Sequence, residues 1–329
     1  DLRGLARAVH DASERALGEA LAGVPDGSYA SAVTGDGYGE PFTVRLALTV
    51  GRGHLRFDFA GSSPQQTAPI NAVLQYTRAY AAFTTKCVFV PAIPNNEGLL
   101  RRITVTAPPG SICNAVEPAP VQSRHVLGMV LQGAVFQAFA QCAPERTQAD
   151  SGTPPPIITF YGSQPDGTPF LTFEFANGGV GGKAACDGRS TTAFPSNLAN
   201  LPIEVLEAIA PVLYTEQRLI ADSGGVGLHR GGLGQRKTFR VRHPMMASLI
   251  IDRFRHPPAG VLGGGPGRRA EARFSDGRPV TMKSVLALQP GDVLTLESPG
   301  GGGYGDPARR PAEAIRRDLE EGYITGWPG

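Results

Sequence analysis

Glycine and proline set the terms on which this chain can fold. There are 43 glycines and 29 prolines among 329 residues, roughly a fifth of the total, where about 12% is usual. With the apolar content, that share predicts many tight turns between short strands. Hydrophobic residues still make up 41% and charged residues only 18%, so material for a core is present. The length allows one large domain or two ordinary ones. With 31 Lys and Arg against 29 Asp and Glu, the net charge is +2. That balance gives no electrostatic case for nucleic acid or an anionic membrane as the main partner. No apolar run reaches the roughly 18 residues of a membrane span. The first residues, with Asp1, Arg3 and Arg7, lack the apolar core of a signal peptide. Cys87, Cys113, Cys142 and Cys186 form no Cys-x-x-Cys pair, so reduced, buried thiols and a cytoplasmic location are expected.

Periodicity supplies the elements. Leu2, Leu5, Val9, Ala12, Ala16, Leu17 and Leu21 recur at helical spacing, which predicts an amphipathic helix over 1–22 that starts without an N-cap before it. Phe42, Val44, Leu46, Leu48 and Val50 alternate with polar or small residues, and the alternation resumes at Leu55, Phe57 and Phe59 after Gly51-Arg52-Gly53. That pattern predicts a hairpin with one buried face. Helices are expected over 72–88 and 121–142, with a strand over 103–105. Beyond Asp150 strands dominate, with turns at Pro165-Asp166-Gly167, Asp276-Gly277 and Pro290-Gly291. A short helix over 203–209 is expected to be capped by Asn200, and a tail helix over 311–321 to close on Gly322. No repeat and no linker divides the chain. The fold class expected is α+β, largely antiparallel sheets with several packed helices.

Two glycine motifs match nucleotide fingerprints by letter and fail on context. Residues 177–184 contain Gly-Gly-Lys, but Asn177 stands where a P-loop needs Gly, and Ala184 where it needs a magnesium-binding hydroxyl. Gly300-x-Gly302-x-x-Gly305 leaves only a short tail after it, too little for the βαβ unit that would place a ribose-binding acid. His10, His54, His125, His229, His243 and His256 never stand at i, i+3 or i+4, which gives no local basis for a metal site. There is no Gly-x-Ser-x-Gly elbow. His125 is set apart because it follows Gln122-Ser123-Arg124 at the start of the long helix, where free amides gather around a ligand. Three polar clusters also stand out: Asp58 to Gln65 with Asn71; Asn95-Asn96-Glu97-Gly98; and Asp187-Gly188 with Asn197, Asn200, Pro202 and Glu204. Each mixes amides and carboxylates with glycine and proline, as a loop of fixed shape does. Turn and cap chemistry accounts for many of the same residues.

These motifs, in order, carry a resemblance. Asp58-Phe59-x-Gly61-Ser62-Ser63-Pro64-Gln65 and Asn95-Asn96-Glu97-Gly98 are followed by Asp222-Ser223-Gly224-Gly225-x-Gly227-x-x-Arg230-Gly231-Gly232-x-Gly234. Then come Gly263-Gly264-Gly265-Pro266-Gly267, Lys283, Gly291-Asp292 and the run from Pro299 to Pro307. From about residue 10 onward the chain resembles the hydantoinase B/oxoprolinase family. That family comprises the B-type component of ATP-dependent N-methylhydantoinases, the matching half of 5-oxoprolinase and the α component of acetone carboxylases. The resemblance implies the C-terminal portion of such a fold. Family members carry a long preceding region with Asp and His metal ligands in Asn-Asp-Pro-Tyr…Thr-His and His-His-Ala-Asp motifs, and neither motif occurs here. The divalent metal (Mn, Mg or Zn) is therefore expected on residues outside this chain, in an N-terminal hydantoinase B segment.

The resemblance also implies the chemistry. A five-membered lactam or hydantoin resists hydrolysis because nitrogen donation stabilises its carbonyl. Phosphorylating the carbonyl oxygen with ATP makes a leaving group and an electrophilic carbon. The ATP site is implied on a partner A-type ATPase subunit, so a hetero-oligomer acting on a small molecule is expected, with the isolated chain inactive. An α-type component of a ketone carboxylase and a non-catalytic structural component are the alternatives. Either reaction needs a site that excludes water and presents donors to a developing oxyanion. The expected catalytic residues are Asp187, Glu204 and His125, with Asn197, Asn200 and Asp222 binding substrate. No cofactor-binding or metal-binding residue is expected in the chain itself.

Overall fold

The computed structural model describes residues 1–192, 194–281 and 283–327. Contacts divide the chain into two compact units, Asp1–Thr147 and Gln148–Gly329. No glycine or proline marks the junction, which is why the sequence offers no linker there.

The first unit opens with α1 (Leu2–Leu21), followed by β1 (Gly27–Tyr38), β2 (Glu40–Gly51) and β3 (His54–Asp58). Next come α2 (Leu74–Phe89), the single-turn α3 (Glu97–Leu100), β4 (Ile103–Thr106) and α4 (Arg124–Cys142). The strands form one sheet in the order β1-β2-β3-β4, antiparallel except for the parallel β3–β4 pair. The alternation expected over 42–59 holds: Phe42, Val44, Leu46, Leu48, Leu55 and Phe57 are all buried. Phe139 of α4 meets Phe57 edge-on at 6.1 Å and Phe89 of α2 at 5.0 Å, joining helices to sheet. Two expectations need correction. Helix α1 has an N-cap, because the Asp1 carboxylate accepts from Arg3 N at 3.0 Å. Strand β1 had no sequence signal; its Gly, Ser, Ala and Thr residues form a half-exposed edge and show no alternation of large apolar residues.

The second unit is a two-sheet sandwich. Its elements are β5 (Ile157–Ser163), β6 (Pro169–Phe175), α5 (Ile203–Ile209), β7 (Val212–Leu219), β8 (Gln235–Val241) and β9 (Met245–Ile250). They continue with β10 (Glu271–Phe274), β11 (Lys283–Leu288), β12 (Val293–Glu297) and α6 (Ala312–Glu320). One sheet runs β10-β12-β8-β7 and the other β11-β9-β5-β6, with every pairing antiparallel. Phe160, Phe239, Leu249, Leu288 and Leu294 fill the space between them. The expected turns are present, with Gly167, Gly277 and Gly291 at positive φ, and Gly322 ends α6 at φ 70°. Pro202, not Asn200, occupies the N-cap of α5, and no side chain caps it. Contrary to the expectation of four buried thiols, Cys186 is exposed and Cys87 half-buried; all four are free.

The glycine motifs pack against one another beside the sandwich. Segments 178–182, 223–234, 258–267 and 299–305 run without regular strand pairing but exchange backbone hydrogen bonds. Gly179 N donates to Pro299 O (3.0 Å), Gly182 N to Gly302 O (2.8 Å), Gly301 N to Gly232 O (2.9 Å) and Gly303 N to Gly265 O (2.9 Å). Contacts with any one neighbouring segment recur every third residue. A Cβ on Gly179 would stand 1.8 Å from Gly232 O, and one on Gly182 2.4 Å from His229 O. Gly300 and Gly303 meet Ser223 O and Val226 O in the same way, at 1.8 and 1.9 Å. Three residues per turn without internal hydrogen bonds is the polyproline II geometry, in which a crowded contact line admits only glycine. Gly179→Ala is therefore expected to destabilise the second unit by more than about 4 kcal/mol or to prevent its folding. Gly23→Ala, with nothing within 4 Å of the added Cβ, should shift stability by less than about 0.5 kcal/mol. Denaturant melts of the two variants test this; equal midpoints would refute the close-packing account.

Candidate functional site

In the first unit, polar and aromatic groups gather at the N-terminus of α4. Ser123 is buried; its Oγ pairs with the Tyr38 hydroxyl at 2.7 Å, and its N donates to Pro69 O at 2.6 Å. The Arg124 guanidinium lies over the Tyr76 ring at 5.5 Å, and Tyr76 packs against Tyr80 with centroids 5.1 Å apart. Gly128, one turn on, leaves the space for both rings, since a Cβ there would come within 2.5 Å of Tyr80. Burial, reinforced by Tyr76, pushes the Tyr80 hydroxyl well above its ordinary range, so it stays protonated and acts as a donor. His125 is half-buried in the first turn of the helix. The cluster combines a guanidinium, an imidazole and phenolic hydroxyls, groups that bind and protonate a developing oxyanion. The sequence marked Ser123 to His125, but Tyr38, Tyr76 and Tyr80 come from other elements and carried no signal.

A second surface of this unit is a groove of about 370 Å³ between α2 and α3, lined in part by Ala79, Ala82, Phe83, Asn95 and Glu97. It involves the Asn95 to Gly98 motif, although Asn96 itself is taken up in capping. Its Oδ1 accepts from Gly98 N and its Nδ2 donates to Ser13 Oγ. The Asp58 to Asn71 motif is likewise committed to turns: Asn71 accepts from Gln66 N and donates to Gln66, Ala68 and Pro120 carbonyls.

The other expected site residues lie in the second unit and do not converge on one point. Asp187 is bound by Arg310 through both oxygens at 2.7 and 2.8 Å, and accepts from Arg230 N at 2.7 Å. Arg310 and Arg230 also share buried Asp318. Burial raises the Asp187 carboxyl, but the hydrogen bonds and charge of Arg310 and the Arg230 amide outweigh it and hold the group below the usual carboxylate range. Asp222 fastens the tail: it accepts from Thr325 N at 2.8 Å and from Thr325 Oγ1 at 2.6 Å. Asn200 Oδ1 accepts from buried Asn177 Nδ2 at 3.0 Å. Asn197 is exposed at φ 56°, and Glu204 is exposed on the first turn of α5. The Arg310–Asp318–Arg230 network escaped the sequence, because its members are 8 to 88 positions apart.

Neither glycine motif fits a nucleotide phosphate. The amides of Gly179, Val180, Gly181, Gly182 and Lys183 all donate within the protein, as do those of Gly300 through Gly305. No cradle of free N–H groups is left in either glycine motif. Among the described residues, no three of His, Cys, Asp and Glu converge as metal ligands. No helix among them is long and apolar enough to cross a membrane.

Residues 1–307 match the hydantoinase B/oxoprolinase family. The chain belongs to that family. It is 30% identical to the beta component of the caprolactamase of Pseudomonas jessenii over 96% of this chain and 58% of that one. It is 34% identical to the uncharacterized protein MJ0963 of Methanocaldococcus jannaschii over 86% of this chain and 50% of that one. The crystal structure of the ATP-dependent caprolactamase from Pseudomonas jessenii superposes with a TM-score of 0.86 at 28% identity, covering 96% of this chain and 58% of that one. A nucleotide-free acetone carboxylase shares the fold, with a TM-score of 0.81 at 18% identity over 95% of this chain and 50% of that one. The chain thus spans about half the length of these relatives.

The Asp187–Arg310 ion pair ties the stability of the second unit to pH. A folded carboxyl held below its unfolded value near 4 stabilises fully above that pH, and the contribution is lost as pH falls through the folded value. Asp187→Ala should cost about 3 kcal/mol at neutral pH by leaving Arg310 short of a partner. It should also weaken the loss of stability below about pH 4. Thermal melts across pH 2–7 check both; an unaltered acid limb would refute the linkage.

Proposed function

We propose that this chain is one part of an ATP-dependent cyclic amide hydrolase, working beside a companion A-type ATPase subunit that carries the nucleotide. The observation that supports it most is the fold match to an ATP-dependent caprolactamase over nearly the whole of this chain. Relatives named as a caprolactamase component, a putative D-/L-hydantoinase component and a 5-oxoprolinase point to cyclic amides as the substrate class. A five-membered lactam or hydantoin is the substrate we assign.

ATP supplies the activation that such an amide needs. Since neither glycine motif offers free amides to a phosphate, the nucleotide is assigned to the companion subunit. What the chain contributes is a set of donors. To Arg124 and the protonated Tyr80 we assign the stabilisation of an oxyanion, and to His125 the transfer of the proton to the departing ring nitrogen. Asn197 and Glu204 are exposed groups of the second unit available to a substrate or a partner chain. Asp187 and Asp222 serve the scaffold.

The test is ring opening of 5-oxoproline, hydantoin and caprolactam by this chain together with its companion, with and without ATP. His125→Ala is expected to lower kcat by about 10²-fold or more with assembly intact. Asn197→Ala and Glu204→Gln should each change kcat/KM by less than about threefold, some 0.7 kcal/mol. Absence of ATP-dependent opening by the assembled complex, or bicarbonate-dependent ketone carboxylation in its place, would overturn the reading.

A further inference from the structure

The interior of the sandwich holds an amine and a carboxyl in contact. Residues 235, 237, 239 and 241 of β8 and residues 172 and 174 of β6 are buried, so alternation turns them into the space between the sheets. Such positions ordinarily carry apolar side chains, as at Phe239 and Val241. Lys237 and Glu174 are charged types, yet each is only 1% exposed. In register beside them stand Leu296 of β12 and Ile158 of β5, both buried. Phe160 and Phe239, edge to face at 5.1 Å, belong to the same core. Lys237 Nζ donates to Glu174 Oε1, and the Tyr214 hydroxyl of β7 donates to Glu174 Oε2. Among the described residues, Nζ has no other acceptor. Burial, then the charge of Glu174, pushes the Tyr214 hydroxyl well above its ordinary range, which keeps it a donor.

An ammonium brings three N–H groups to satisfy and here meets one acceptor. Taking both charges out of water is costly, and passing a proton from Nζ to the carboxyl removes both. The result is a primary amine beside a carboxylic acid. A hydrogen bond to Oε1 leaves Nζ within the roughly 3–3.5 Å of the carboxyl carbon at which attack begins. We propose that Lys237 and Glu174 condense to an isopeptide bond that staples β8 to β6 across the sandwich, with Tyr214 as donor to the developing oxyanion. The Nζ–Cδ bond forms and the Cδ–Oε1 bond breaks. Oε1 leaves as water with two of the three hydrogens first carried by the ammonium, and the third stays on the amide nitrogen. Nothing is oxidised or reduced, and no cofactor is consumed. A neutral amide in place of two buried charges favours the product, and the fixed approach of the two groups replaces chemical activation. With all four cysteines free, this bond is the covalent tie between the sheets, joining positions 63 residues apart. It stands independently of the functional reading above.

The intact mass of the full-length wild-type chain, denatured and reduced, reads the bond directly. The expected mass is that of the sequence less one water, and proteolysis should yield a branched peptide in which Glu174 and Lys237 are joined. Lys237→Arg keeps the positive charge without the nucleophile and should show its full sequence mass. In a time course of cell-free synthesis, Tyr214→Phe should lose water at least tenfold more slowly than wild type. A wild-type chain of full mass overturns the proposal, whether or not either variant folds. So does a loss of water that maps to linear peptides, as cyclisation at Asp166-Gly167, Asp187-Gly188 or Asp276-Gly277 would give. Loss of water at the wild-type rate in Tyr214→Phe overturns the part given to Tyr214.

Discussion

The contact on which the second unit depends is that between a glycine α-carbon and a neighbouring carbonyl oxygen. Gly179, Gly300 and Gly303 each approach such an oxygen so closely that a methyl group would lie within 2 Å of it. These are not turn glycines chosen for positive φ; the constraint is the distance between chains. Backbone hydrogen bonds between the segments satisfy groups that have no place in a regular sheet. Glycine has the largest conformational entropy to lose on folding, so a bundle built from it is stable only if something else restrains its ends.

Buried ion pairs and the sandwich supply that restraint. Arg253, almost wholly buried, pairs with Asp150 at 2.9 Å and donates to Thr153 O at 2.6 Å, fastening the start of the unit to the chain after β9. Burial raises the Asp150 carboxyl and Arg253 opposes the shift. At the other end Arg310 and Arg230 clamp Asp187 and Asp318, and Asp222 secures the residues after α6. Within the sandwich, Lys237, Glu174 and Tyr214 form a buried triad on three different strands. Removing one member of such a pair strands a buried charge, which costs far more than the pair contributes over an apolar substitute. The charges therefore specify the arrangement more than they add to its stability.

The first unit is built otherwise. Its long helix α4 is buried on nearly every side, and an aromatic contact ties it to α2 and the sheet. A rigid buried helix can hold Arg124 and His125 in fixed positions at its start, which the exposed loop bearing Asn197 cannot do for its own side chains.

Local pattern was enough to determine the hairpin over 42–58, the helices near 74–89, 124–142, 203–209 and 312–320, and the turns at Gly167, Gly277 and Gly291. In each case the signal is the spacing of apolar residues or the φ that a turn demands, properties of a few consecutive residues. The family was legible too, because its glycine motifs are contiguous. Strand β1 was not, since a half-exposed edge needs no apolar alternation. The meaning of the motifs was also hidden: the sequence shows glycines, but only the packing of segments tens of residues apart shows that backbones touch where a side chain would be. For the same reason Asp187 and Asp222 read as free polar groups. Their partners, Arg310 and Thr325, are over a hundred residues away. The apolar face of the second sheet likewise exists only once strand order and register set Leu171, Phe173, Ile157, Met246 and Val285 side by side, because a surface belongs to the pairing of strands and not to any one of them.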